Sequence, residues 1–292
     1  MIFYNIWFFS SLVISRKGIN HYIESRKKRI FRPTILSLIT ILPITCILMF
    51  YIKGDADIKS YLSYRHLWFL VTLSMISLIT FINPQFFLNV SSRIASYLNG
   101  KPYVFSMAVF FIFFFASHVL FIISKKTLPR DLNVAFQISE SILYMAPYIV
   151  GMTLYFINSA PSKKTTACFL FLFTVWYVVS LTPFYDTIPS VIKVMLKDIS
   201  TVMVCLSFFY LFFSMKIQQN KFISELSRIA LPFYLFHLPI LILLSSVYYE
   251  MTKNDSDIQY TLIVIPLTIL ITYFISWISL KNIVVRKSMG MA

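Results

Sequence analysis

Apolar runs of membrane-crossing length recur along the whole of this sequence, and no other feature constrains its fold so tightly. They are read at residues 2–15, 34–52, 66–83, 102–124, 139–158, 166–184, 199–215, 229–249 and 260–280. Inside hydrocarbon every backbone N–H and C=O must find its partner within the chain, so these runs are helices. The alternating pattern of a membrane β-barrel is absent. Of the 292 residues, 58% are hydrophobic and 13% charged, which excludes an ordinary soluble domain, where about a quarter carry charge. The expected fold is all-α: one domain over residues 1–292, a polytopic bundle of about nine transmembrane helices, the first of them short. No stretch reads as a soluble domain, an internal repeat or a low-complexity linker. The polar segments 53–65, 84–101, 125–138, 159–165, 185–198, 216–228 and 250–259 are read as loops.

A net charge of +15 would suggest nucleic acid as the partner of a soluble protein, but its distribution argues otherwise. With the N-terminus outside, the inner segments hold Arg16, Lys17, Arg26, Lys27, Lys28, Arg29, Arg32, Arg93, Lys101, Lys163 and Lys164. Lys216, Lys221, Arg228, Lys281, Arg286 and Lys287 follow, and the only inner acids are Glu24 and Glu225. The outer segments carry acids and bases in equal number. This positive-inside pattern orients the chain N-out and C-in, leaves the lipid bilayer as its partner and makes nucleic acid an unnecessary hypothesis. An N-out chain beginning at Met1 has almost nothing before its first apolar run, which is short and carries Asn5. A preceding helix running outward would resolve both features, so the chain is expected to be truncated by one transmembrane helix. The competing reading is a short tilted or re-entrant first helix in a complete protein.

Ionisable side chains at bilayer depth are costly and tend to mark working sites. His66 opens one apolar run, beside Arg65 and Trp68, and His237 lies deep in another, between Pro232 and Pro239. A histidine titrating near neutrality can take a proton from a hydroxyl and return it. The plainer reading of His66 is an interfacial His–Trp belt, and that of His237 a hydrogen bond to a neighbouring helix. The two prolines are expected to kink the helix near His237. Tyr234, one turn earlier, shares its face. Arg26, Arg29 and Arg32 recur every third residue and would share one helix face, suited to bidentate contacts with phosphate. The plainer reading is topological: inner loops hold Lys and Arg to orient the chain. His118, in a phenylalanine-rich run, reads as a packing or polar-contact residue. Asp186 and Asp198 could orient a sugar through its hydroxyls, but solvated loop charge is the better reading of each. Cys46, Cys168 and Cys205 each lie inside an apolar run without ligand spacing, so neither a metal site nor a disulfide framework is expected.

Four phrases in order carry a resemblance. They are Phe8-Phe9-Ser10-Ser11-Leu12-Val13 with the basic Arg26-Lys27-Lys28-Arg29 segment and Pro33, then Tyr51-Ile52-Lys53-Gly54 leading to His66-Leu67-Trp68-Phe69-Leu70. Leu143-Tyr144-Met145-Ala146-Pro147-Tyr148-Ile149-Val150-Gly151 and Phe233-Tyr234-Leu235-Phe236-His237-Leu238-Pro239 complete the set. On these the chain resembles the integral-membrane acyltransferase family 3, and within it the branch that succinylates osmoregulated periplasmic glucans. The resemblance implies a multi-pass O-acyltransferase of the cell inner membrane. No bound cofactor is implied. The donor would be a cytoplasmic acyl-CoA, succinyl-CoA or acetyl-CoA, and the acceptor a hydroxyl of an extracytoplasmic glucan or other glycan. Arg26 and Arg29 match the family's arginine pair, with Arg32 beside them as a further phosphate contact. His66 and His237 match its motif histidines and are the expected catalytic residues, with Trp68 and Tyr234 on the substrate. Ser10-Ser11 stands where the family has serine-glycine. The family also has an earlier helix bearing a histidine central to catalysis, in line with the expected truncation. A transporter or flippase, or a non-catalytic membrane partner, remains the competing function; the matching broken helices of an inverted repeat, which would favour transport, are not seen.

Overall fold

The computed structural model describes residues 2–53, 67–157, 163–214, 221–252 and 258–288. Among these residues the chain is helical throughout, with no strand. Helices α1 (Ile2–Lys17) and α2 (Ile19–Arg26) lead through a π turn, Lys27–Phe31, into α3 (Arg32–Ile39) and α4 (Ile41–Lys53). Then come α5 (Trp68–Ile82), α6 (Pro84–Leu98), α7 (Tyr103–Thr127), α8 (Arg130–Phe136), α9 (Ile138–Leu154) and α10 (Lys163–Ser180). A short α11 (Phe184–Thr187) precedes α12 (Ser190–Ser214), α13 (Lys221–Thr252), α14 (Ile258–Lys281) and α15 (Ile283–Ser288).

Each expected apolar run contains a helix. By length and composition, four helical stretches can cross a bilayer: Ile19–Tyr51, Phe105–Thr127, Arg228–Thr252 and Gln259–Lys281. The pair α5 and α6 passes only as one broken span, bent by 93° at Asn83. Ile138–Leu154 and Thr166–Ser180 are apolar but shorter. The multi-pass membrane architecture stands, with four or five helices of spanning length among the described residues.

Among the described residues, helices enter several segments expected to be loops, 84–98, 130–136, 190–198 and 221–228 among them. Residues 84–98 form α6: the Asn83 side chain accepts from the Phe86 N–H (2.9 Å) and Pro84 sits at the first turn, an N-cap followed by proline. The basic inner segment is helical too. Gly18, at φ +82°, ends α1, and α2 starts at once, because glycine enters the left-handed region without a Cβ penalty.

The chain divides into two compact units, residues 1–22 with 75–218 and residues 23–74 with 219–292. The first is built round α9, whose Tyr148, Val150 and Met152 are almost wholly buried. Leu98, Phe110, Phe114, Ala146, Val150 and Val202 form its apolar core. Tyr148 Oη and Tyr22 Oη lie 3.3 Å apart, and Tyr22 Oη is 3.1 Å from Thr80 Oγ1, a buried polar thread in which each hydroxyl can donate to the next. The phrase around Tyr148 thus serves packing. Ser11 is fully buried and its Oγ donates to the Met152 carbonyl (3.2 Å). Small residues at a helix contact let two backbones approach, and here α1 meets α9 through that hydroxyl. Replacing Ser11 with Leu should cost about 1–3 kcal/mol through overpacking, whereas Ser11→Gly should fold; thermal unfolding in detergent measures both.

Candidate active site

The residues nominated by the sequence that fall among the described ones all lie in the second unit. Helix α13 runs unbroken through Pro232 and Pro239, and His237 sits between them, half-buried. Its Nδ1 lies 2.7 Å from the Tyr234 carbonyl oxygen, one turn back. A carbonyl can only accept, so Nδ1 carries the proton and the neutral ring keeps its lone pair on Nε2, the form a proton acceptor requires. The bond also fixes the ring's orientation on the helix.

Tyr234 connects His237 to the second motif. The Tyr234 and His237 rings are 5.7 Å apart, Phe69 meets Tyr234 edge-on at 5.6 Å, and Trp68 meets Phe69 edge-on at 6.3 Å. Trp68, Phe69, Tyr234 and His237 therefore form one aromatic chain from the start of α5 to the middle of α13, in the offset geometries that ring quadrupoles favour. Beneath it Leu67, Leu70, Leu42 and Leu235 form a buried cluster, flanked by Leu38, Cys46, Leu231 and Val285. Two phrases more than 160 residues apart in sequence are thus one packed body. His66 lies outside the described residues; its neighbour Leu67 is buried in this cluster.

The arginines stand on the continuous helical stretch that enters α3. The π turn closes with the Arg32 N–H on the Lys27 carbonyl, one residue more than an α turn. The three-residue spacing therefore spreads further round the axis than on the single α-helical face expected. Arg26 is half-buried, while Arg29 and Arg32 are exposed. Just beyond them Thr34 is held from two sides: its hydroxyl donates to the Ile30 carbonyl (2.7 Å) and lies 3.0 Å from Ser74 Oγ on α5. The arginine-bearing turn is thereby fastened to the helix that carries Trp68 and Phe69. A separate cavity of about 520 Å³ at the Gly18 corner, lined by Ser15, Lys17, Asn20 and Gln85 among others, contains none of the nominated residues.

Compared with known families, residues 2–280 match the sequence model of an acyltransferase domain, that of acyltransferase family 3. The chain belongs to this family. It is a multi-pass membrane acyltransferase, and the match runs through the residues of both compact units. No curated protein and no solved structure matches the chain.

One reading made from sequence missed what the fold brings together. Asp198, read as solvated loop charge, is buried on α12, and His118 on α7 makes the polar contact expected of it with that carboxylate, at 3.2 Å. Neither position stands out alone in the sequence, and nothing in their spacing signals the pairing. For the acyltransferase's motif cluster the expectation is quantitative. Leu235 is 1% exposed, and Leu235→Ala should cost about 2–5 kcal/mol by leaving a cavity under the aromatic chain. Leu243→Ala on the same helix, at a position 48% exposed, should change stability by no more than about 0.5 kcal/mol. Unfolding midpoints of the two variants in detergent provide the comparison.

Proposed function

We propose that this acyltransferase is an O-acyltransferase of the cell inner membrane, carrying a succinyl or acetyl group from cytoplasmic acyl-CoA to a hydroxyl of an extracytoplasmic glucan. The observation that carries this reading is the tautomer of His237, set by the Tyr234 carbonyl beside the aromatic chain from Trp68. The charge pattern supports an N-out, C-in orientation, with Arg26, Arg29 and Arg32 on the donor's side. Guanidinium groups bind phosphate oxygens in pairs, so these arginines would hold the phosphates of CoA and leave the thioester to the motif helices. A succinyl and an acetyl donor share those phosphates; the acyl group itself would be distinguished nearer Trp68 and Tyr234. The succinyl choice rests on the resemblance of the sequence phrases to the glucan-succinylating branch of the family.

In the reaction the acceptor hydroxyl gives its proton to a histidine Nε2, and its oxygen attacks the thioester carbonyl carbon. The C–O bond of the ester forms, the C–S bond breaks, and the imidazolium returns the proton to the departing thiolate, so the products are ester and free CoA thiol. His237 is the proton acceptor in this scheme and His66 the other motif histidine serving it. General base catalysis of this kind contributes about 10²–10⁴-fold. His237→Ala should accordingly lower transfer of radiolabelled succinate from succinyl-CoA to glucan at least about 100-fold, with folded protein unchanged. Wild-type rates in that variant would remove His237 from the mechanism. Arg29→Ala with Arg32→Ala should raise KM for the donor tenfold or more while KM for glucan stays put; initial rates against each substrate separate the two.

A further inference from the structure

The first unit holds an ionisable pair that the motif histidines do not account for. His118 Nδ1 on α7 lies 3.2 Å from Asp198 Oδ1 on α12, across 80 residues of sequence. Their side chains are 16% and 8% exposed, so the carboxylate sits behind the imidazole and the imidazole has the accessible edge. The second carboxylate oxygen, Oδ2, is buried and has no hydrogen-bond partner among the described residues. Around the pair the surroundings are apolar: Phe121 meets His118 edge-on at 5.8 Å, and Phe114 and Val202 of the core lie one turn away on the same two helices. The other charged groups on α7 and α12 are Lys197, exposed beside Asp198, Lys193, paired with Asp186 (3.8 Å), Lys126, and Lys125, paired with Glu140 (3.6 Å) two turns further along α7. None of them bonds to the free oxygen.

Stability is a poor explanation for such a pair. Desolvating two charges offsets their attraction, and apolar residues of similar size often serve as well or better. Packing of α7 on its neighbours is already supplied by Phe110, Phe114 and Val202. With the carboxylate ionised, the shared proton sits on Nδ1, which leaves His118 Nε2 as the acceptor on the more exposed side chain and Asp198 Oδ2 as a second acceptor buried behind it. An arrangement of acceptors without donors fits a ligand rich in hydroxyl groups. By the charge pattern both residues stand toward the outer ends of their helices, where an extracytoplasmic acceptor would arrive.

We propose that His118, held by Asp198, forms a binding subsite for a carbohydrate, in which a hydroxyl of the acyl acceptor donates to Nε2. This rests on the acyl-transfer reading for its ligand class, though binding itself requires no transfer. His118 contacts the sugar, and Asp198 holds the ring and its tautomer.

The test uses the full chain in detergent micelles and a glucan oligosaccharide as probe. Diethyl pyrocarbonate labelling of His118, read by mass spectrometry, should fall several-fold on adding the oligosaccharide, and His118→Gln and Asp198→Asn should each raise KM for glucan tenfold or more with donor KM unchanged. The apolar pair His118→Leu/Asp198→Leu guards against misfolding. It should fold with an unfolding midpoint at least that of the natural chain and bind the oligosaccharide at least tenfold more weakly in calorimetry. A folded apolar pair that binds sugar as the natural chain does, or labelling of His118 indifferent to sugar, overturns the proposal. Protection of His118 in a protein that transfers no acyl group would uphold the subsite and overturn the transfer reading instead.

Discussion

The structure depends first on the need to pair polar groups where water is absent. Helices meet that need for the backbone, and many of the small hydroxyl residues meet it for themselves. Thr34, Ser37, Thr45, Thr153, Ser245 and Thr268 each turn the hydroxyl back to the carbonyl four residues earlier, at 2.6–2.7 Å. A serine or threonine bonded this way costs little in an apolar bundle and keeps a spare lone pair. Thr34 uses its remaining capacity on Ser74, and Ser245 lies 2.7 Å from the Tyr260 hydroxyl, so self-satisfied hydroxyls also become links between helices. Helix-to-helix specificity in this protein is carried as much by such short polar contacts as by the leucine and phenylalanine cores.

His237 follows the same logic with a larger group. A ring nitrogen bonded to the carbonyl one turn back satisfies one end of the imidazole inside its own helix and leaves the chemistry to the other end. The aromatic chain then gives that ring a neighbour, Tyr234, without adding a charge. Arg29 and Arg32 obey the opposite rule: their exposure keeps the charges solvated, and the buried Thr34 near them supplies the anchoring that charged side chains cannot.

Much of this could be read from sequence because hydropathy reports burial in apolar surroundings directly. The helices at each apolar run, the phrases around His66 and His237, and the acyltransferase family all followed from local text. The failures have equally local causes. Asn83-Pro84 was taken as the end of a run, yet the same dipeptide is an N-cap and first-turn proline, so it opens α6 as it closes α5. Hydropathy also counts an apolar run as a crossing whatever its helical length, whereas α9 and α10, at 17 and 18 residues, lie at the short end of what a bilayer needs. The partnership of His118 with Asp198 was invisible because each residue by itself matches a commonplace: a histidine among phenylalanines, and an aspartate at the edge of a run. Only the packing of α7 on α12 makes them a pair.

The π turn at Lys27–Phe31 acts as an extra residue accommodated without a loop. Each residue of an α-helix turns the chain by about 100°, so the turn sets the angle between the residues just before it and the buried Thr34 that follows. Thr34 is tied to Ser74, and the turn thereby fixes how Arg26 and Arg29 stand to that anchor. The segment works as a phase adjuster within one stretch of helix. A chain shortened by one residue here would still read as helix, but Arg26 would stand about 100° further round from Thr34.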